Sequence, residues 1–252
     1  MRRFIGAVLV TGLLSGLGAP VRAEDDKDTR AILDKGIKAL GGEEKLSKVK
    51  AATWKVKGKI IVDGNENPFT LQVTVQGLDR IRSAFEGEFG GTPIKGMTVL
   101  AGDEGWRQFA DNTMELDRDA LANEKRTLYL QVIPATLVPL KGKGFKVQSA
   151  GEEKVGGKPA VGIKVTGPEG KDFTLYFDKE SGLPVKQVAK VLDFMGNEFT
   201  QETIYADYKE FQGIKKATKV ENKRNGRTFL EGKITDFKVL DKVDAKTFAE
   251  PK

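Results

Sequence analysis

Over much of this chain apolar and polar residues alternate with a period of two, the signature of strands with one buried and one wet face. In Trp54 to Val62 one side carries Trp54, Val56, Gly58, Ile60 and Val62, and the other Lys55, Lys57 and Lys59. Phe69, Leu71, Val73 and Val75 alternate with Thr70, Gln72, Thr74 and Gln76, and Ile81, Ser83 and Phe85 alternate with Arg80, Arg82 and Glu86. The Lys and Arg rows read as the solvated face, which also discourages edge pairing. Met97 to Leu100 and Trp106 to Phe109 predict two strands around Gly102-Asp103-Glu104-Gly105. Phe145 to Ser149 and Ala160 to Thr166 predict two more around Gly156-Gly157. Gly87 to Gly96 reads as a flexible loop without phosphate-binding glycine spacing.

The stretch from Asp172 to Val239 organises the rest. Five runs rich in Val, Ile, Thr, Phe and Tyr are separated by Glu180-Ser181-Gly182, Met195-Gly196-Asn197, Gln212-Gly213 and Asn225-Gly226. Glycine supplies the positive φ of tight turns, so an antiparallel meander is expected. Val185, Val188, Val191 and Phe194 do not hold one parity, which predicts a bulge or a strand covered on both faces.

Two segments have helical spacing. Leu33, Ile37 and Leu40 follow a cap at Asp28 or Thr29, and Gly41-Gly42 ends that helix before a short second one, Glu43 to Lys48, with Leu46 inward. Asp117 to Leu140 carries Leu121, Leu128, Val132 and Leu137 on an apolar side. Asp117 or Asp119 caps it, and Pro134 and Pro139 divide it into a helix to residue 133 and a short apolar tail. Phe248 and Pro251 place Val243 to Lys252 as a closing segment. About ten strands and these helices predict an α+β, mainly β fold. It is a single strongly curved antiparallel sheet, a half-barrel with helices covering the concave face.

Arg2-Arg3, the apolar run Phe4 to Leu17 and Val21-Arg22-Ala23 have the form of a cleaved secretory signal peptide over residues 1–23. Residues 24–252 are then a single domain of 229 residues, soluble and periplasmic or otherwise extracytoplasmic. With 42 basic and 36 acidic residues the chain carries +6; losing Arg2, Arg3 and Arg22 leaves 39 against 36, or +3. That surface does not argue for nucleic acid. The chain has no Cys and no His, which excludes disulfides, the usual zinc sites and any triad with a His base.

The pieces that carry a family resemblance are Gly77 to Phe85 (GLDRIRSAF), Val99 to Phe109 (VLAGDEGWRQF) and Leu175 to Asn197, with LYFDKESGLPVKQ followed by LDFMGN. Behind a signal peptide and an opening helix, they resemble the periplasmic lipoprotein carrier LolA and its relatives. The resemblance implies a half-barrel that holds acyl chains under helices, with no cofactor and no catalysis; no metal site is expected. It implies a lid-locking arginine at Arg80 or Arg82. A periplasmic stress sensor such as RseB uses the same architecture, so either carrying or sensing a lipid or acylated ligand is expected. Envelope membrane proteins are candidate partners, and a monomer is expected.

Parity places Trp54, Val56, Phe69, Leu71, Val73 and Phe85 on the buried sides of their strands. Trp106 joins them by resemblance, and Leu128, Val132 and Leu137 face them from the helix. These ten residues are the expected lining of an apolar cavity. Two other readings compete. One is an envelope structural module with a packed concave face. The other is a hydrolase using paired carboxylates, Glu86 with Glu88 or Asp103 with Glu104, which needs surroundings that push two pKa values apart.

Overall fold

A computed structural model describes residues 21–168, 172–192 and 196–252, with side chains from residue 27 onward. The residues of the expected signal segment before Val21, and Phe194 and Met195 in the last meander, lie outside the described residues.

The helix α1 (Val21–Leu40) and the single turn α2 (Glu43–Leu46) precede the first strand. Six strands follow in succession: β1 (Ala51–Val62), β2 (Asn65–Gln76), β3 (Arg80–Phe89), β4 (Thr92–Ala101), β5 (Glu104–Phe109) and β6 (Asn112–Glu115). Then come α3 (Arg118–Thr136) and a 3-10 turn at Val138–Lys141. Seven more strands follow among the described residues, β7 (Lys146–Val155), β8 (Lys158–Thr166), β9 (Asp172–Asp178), β10 (Pro184–Leu192), β11 (Glu198–Phe211), β12 (Ile214–Arg224) and β13 (Arg227–Leu240), and a 3-10 turn at Ala245–Phe248 comes after them. All thirteen form one antiparallel sheet in the order β6-β5-β4-β3-β2-β1-β13-β12-β11-β10-β9-β8-β7, curved but not closed into a barrel.

That order explains the position of α3. Each arm, β1 to β6 and β7 to β13, is a run of hairpins, and the two arms meet at the β1–β13 pair. The connection from β6 to β7 therefore joins the two edge strands and must cross a whole face. A 19-residue helix, about 28 Å long, makes most of that crossing. Leu128, Ile133 and Leu137 are fully buried beneath it, and Leu33, Ile37 and Leu40 bury the matching side of α1. Burying each such side chain contributes about 1.5–3 kcal/mol.

The five strands of the Asp172 to Val239 stretch form the expected meander, each paired with the next. The lapse of parity near Val185 is a bulge between Pro184 and Lys186. Asp117 caps α3, accepting hydrogen bonds from the backbone N–H of Asp119 and Ala120 at 3.1 and 2.9 Å.

Several expectations are corrected. Asp28 and Thr29 do not cap α1, which already runs from Val21. Gly87 to Gly96 is no loop but the β3–β4 hairpin, with only Gly90-Gly91 in the turn; glycine content outweighed the Phe85, Phe89 and Ile94 pattern. Val62 is exposed, because β1 outruns the helices covering its inner side. Pro134 does not end α3, which continues to Thr136 and a left-handed Leu137 at φ 59°. The closing segment lies on the face away from α3. Phe248 is buried there, and the Pro251 and Lys252 carbonyls accept from Thr113 at 3.4 Å and Gln108 at 3.3 Å.

Lys55, Lys57 and Lys59 point to the face opposite Trp54 and Val56. Lys57 is exposed, and Lys59 pairs with Glu231 at 3.3 Å and with Glu66. Replacing all three by Gln is expected to shift the melting temperature by less than about 3 °C, because solvated ion pairs contribute little. Thermal unfolding followed by circular dichroism checks this, and a loss of folding would mean the face has been assigned wrongly.

Candidate functional site

Cross-strand partners in a sheet point to the same face, so register decides which expected site residues meet. Trp54 lies opposite Val73, Leu71 lies between Val56 and Phe85, and Phe69 lies opposite Gly58. These six share the face covered by α3. Trp106 does not. It lies opposite Val99, which lies opposite Arg82, in a row on the other face. The Gly102 to Gly105 turn sets that phase, and one residue of offset in a strand reverses every side chain. Arg80 and Arg82 share that outer parity, so neither reaches α3.

Between α3 and the sheet lies a cleft of about 190 Å³. Trp54, Val56, Phe69 and Leu71 line it from β1 and β2, and Leu130, Gln131, Pro134 and Ala135 line it from α3. A smaller space of about 40 Å³ adjoins it through shared Trp54, Gln131, Ala135 and Lys216, and there Val132 contributes. The other expected residues lie elsewhere. Val73, Leu128 and Leu137 are fully buried, and Phe85 stacks on Phe69 with ring centroids 5.9 Å apart.

The far wall was missed by the sequence reading. It comes from the last meander: Gln187 on β10, Gln201, Thr203, Tyr205 and Tyr208 on β11, Lys216 and Asn222 on β12, and Leu230 and Ile234 on β13. The lining is thus mixed, apolar on the β1–β2 side and polar on the β10–β12 side. Asp207, at φ 54°, interrupts the alternation of β11, and Thr218 donates to its carbonyl at 2.5 Å. Tyr205 and Tyr208, three apart, both reach the cleft as a result. Tyr208 donates to the Pro184 carbonyl at 2.6 Å, and burial pushes both phenols up. The shared even parity of Ile214, Lys216 and Val220 was the available signal that Lys216 turns inward.

Polar contacts tie α3 to both arms. Arg107 on β5 pairs with Glu124 at 2.7 Å; burial pushes the Glu124 carboxyl up, and Arg107 opposes that. Arg126, itself buried, donates to the Asp172 carbonyl at 2.8 Å. Pro134 has no N–H, so the Leu130 carbonyl four residues earlier loses its helical partner. Buried Gln187 donates to that carbonyl at 3.2 Å. This contact explains how proline persists inside a buried helix. Gln187→Leu is expected to cost about 1–3 kcal/mol, the penalty of an unsatisfied buried carbonyl. In a Pro134→Ala background the cost should shrink, because alanine restores the backbone N–H. Urea unfolding of the four variants checks this, and equal costs in both backgrounds would disprove the link.

The carboxylates weighed for hydrolysis are exposed. Glu86 is ion-paired with Lys95 at 3.4 Å and Asp103 with Lys125 at 2.9 Å, and neither they nor Glu88 and Glu104 line the cleft under α3. No group of three or more potential metal ligands occurs among the described residues. None of their helices is long and apolar enough to cross a membrane.

No family model matches the sequence, and no curated protein matches it. Solved structures do match its shape. A LolA superfamily protein from Nitrosomonas europaea superposes with a TM-score of 0.58 at 12% identity, over 88% of this chain and 97% of that one. The chain has the LolA fold. Two further solved structures superpose with a TM-score of 0.54 at 11% identity. A DUF1329 family protein from Desulfovibrio piger matches over 88% of this chain and 97% of its own. An outer membrane lipoprotein-sorting protein domain from Vibrio parahaemolyticus matches over 86% and 97%. At these identities the likeness establishes the LolA fold and leaves the ligand to be argued from the residues.

Proposed function

We propose that this protein is an extracytoplasmic carrier or sensor that holds the acyl chain of a lipid or acylated protein between α3 and the sheet. The observation that carries this reading is the cleft itself, with Trp54, Val56, Phe69 and Leu71 facing Leu130 and Pro134 across an unfilled space. Protein interiors leave few voids larger than a water molecule, so a space of this size on the covered face of a LolA fold is a candidate ligand site. Each buried CH₂ contributes about 0.8 kcal/mol, which makes alkyl chains its natural occupants. An engineered apolar cavity of about 150 Å³ takes a benzene molecule. A space of about 190 Å³ therefore takes a short alkyl segment, and a longer chain requires α3 to lift.

Native mass spectrometry of the protein purified from its own cell envelope tests the reading. A co-purified lipid or acyl mass is expected. Its absence, with no fatty-acid binding by the purified protein, would leave an envelope structural module instead.

A further inference from the structure

Lys216 is a charged side chain in the cleft that an acyl-chain site does not need. Its ammonium lies over the Trp54 ring, 5.0 Å from the centroid, and 5.8 Å from the Phe237 centroid. It lines both the larger and the smaller space, at the point where they adjoin. Among the residues lining the two spaces, Lys50, Lys215 and Lys216 carry charge, and none is an Asp or Glu. The cross-strand partner of Lys216 on β11 is Lys209, and Lys215, Tyr205 and Tyr208 line the larger space with it; burial keeps the two phenols protonated and neutral, so among the described residues no anion faces it. Burial lowers the Lys216 ammonium to about 8. Lys216 is half-buried, and a cation partly withdrawn from water without a counter-charge costs the unliganded fold some stability, which two aromatic faces offset in part. Met or Leu would pack the same slot at no such cost. The arrangement suits a site whose anion arrives with the ligand.

We propose that the cleft takes a single-chain amphiphile with an acidic head, carboxylate or phosphate, which pairs with Lys216 while the chain runs beneath α3 toward Leu71 and Phe69. Gln131, shared by both spaces, is placed to donate to the same head. The inference rests on the acyl-chain reading above and adds the class of head group to it.

The test measures binding of ligands that share one chain and differ at the head: oleate, oleoyl lysophosphatidic acid, oleyl alcohol and oleylamine. The wild-type protein should bind oleate or the lysophosphatidic acid about ten- to a hundredfold more tightly than the alcohol, as expected for a charge-assisted contact. The amine should bind most weakly. Whichever acid binds tighter distinguishes a carboxylate from a phosphate site. Lys216→Met should remove the preference, and Lys216→Arg should retain it. Lys216→Gln serves as a second neutral variant, with circular dichroism confirming its fold. Oleate affinity of the wild type should be full near pH 7 and fall as pH rises past about 8, where free Lys216 loses its proton. Lys216→Met should show no such fall. Equal binding of acid and alcohol, or an unchanged preference in both neutral variants, would overturn the head-group inference alone. Binding of none of the four would overturn it together with the acyl-chain reading.

Discussion

Leu71→Glu should abolish fatty-acid binding in a protein that still folds, whereas Val73→Glu, two residues along the same strand face, should prevent folding. Both side chains point toward α3, opposite Val56 and Trp54 respectively. Val73 is 0% exposed in the core, while Leu71 is only partly buried and lines the cleft. A carboxylate at position 73, where the native side chain is 0% exposed, has no route to water. Its burial costs several kcal/mol, comparable with the whole stability of a domain of about 5–15 kcal/mol. A carboxylate at position 71 reaches the solvated part of the cleft, so the fold survives while the chain-binding wall becomes charged. Far-ultraviolet circular dichroism and displacement of a fluorescent fatty acid should be measured on both variants. If Leu71→Glu unfolds as Val73→Glu does, the concave face is a close-packed core. If Leu71→Glu folds and binds as the parent does, the chain lies elsewhere.

Gly58→Ala is expected to be among the most destabilising single-methyl additions in the chain. Gly58 lies directly opposite Gly232 in the β1–β13 pair, the seam where the two arms of the sheet join. A methyl group at Gly58 would meet the Glu231 carbonyl oxygen at 2.0 Å and the Gly232 Cα at 2.7 Å. Both are backbone atoms, so no rotamer change relieves the contact, and the seam must open. The expected cost is about 3 kcal/mol or more, the upper end of the range for overpacking. Gly144→Ala is the control. It meets nothing within 4 Å and has no positive φ, so it should change stability by less than about 0.5 kcal/mol. Urea midpoints at unchanged slope compare the two. Equal midpoints would show that β1 and β13 separate without cost at Gly58.

What the sequence determined by itself was local. Alternation in β1 to β3 set which residues share a face, because the side-chain period of a strand is two whatever the rest of the molecule does. The glycine-bearing turns of the last meander set its five strands, because positive φ is cheap at few other residues. Asp117 capped α3 from its own position. These features needed only neighbours in the chain. Where local reading failed, a long-range contact decided. Pro134 reads as a helix end, and becomes tolerable through Gln187, more than fifty residues away, which supplies the partner for the Leu130 carbonyl. Trp106 was placed in the pocket by resemblance alone, and the register of β4 against β5 turns it to the other face beside Val99. The far wall of the cleft was illegible for the same reason. Tyr205, Tyr208 and Lys216 meet Trp54 only because β13 pairs with β1 and brings the last arm beside the first. No periodicity encodes that meeting. It follows from the meeting of the two arms around α3, and so does the placement of the Lys216 ammonium over the Trp54 ring.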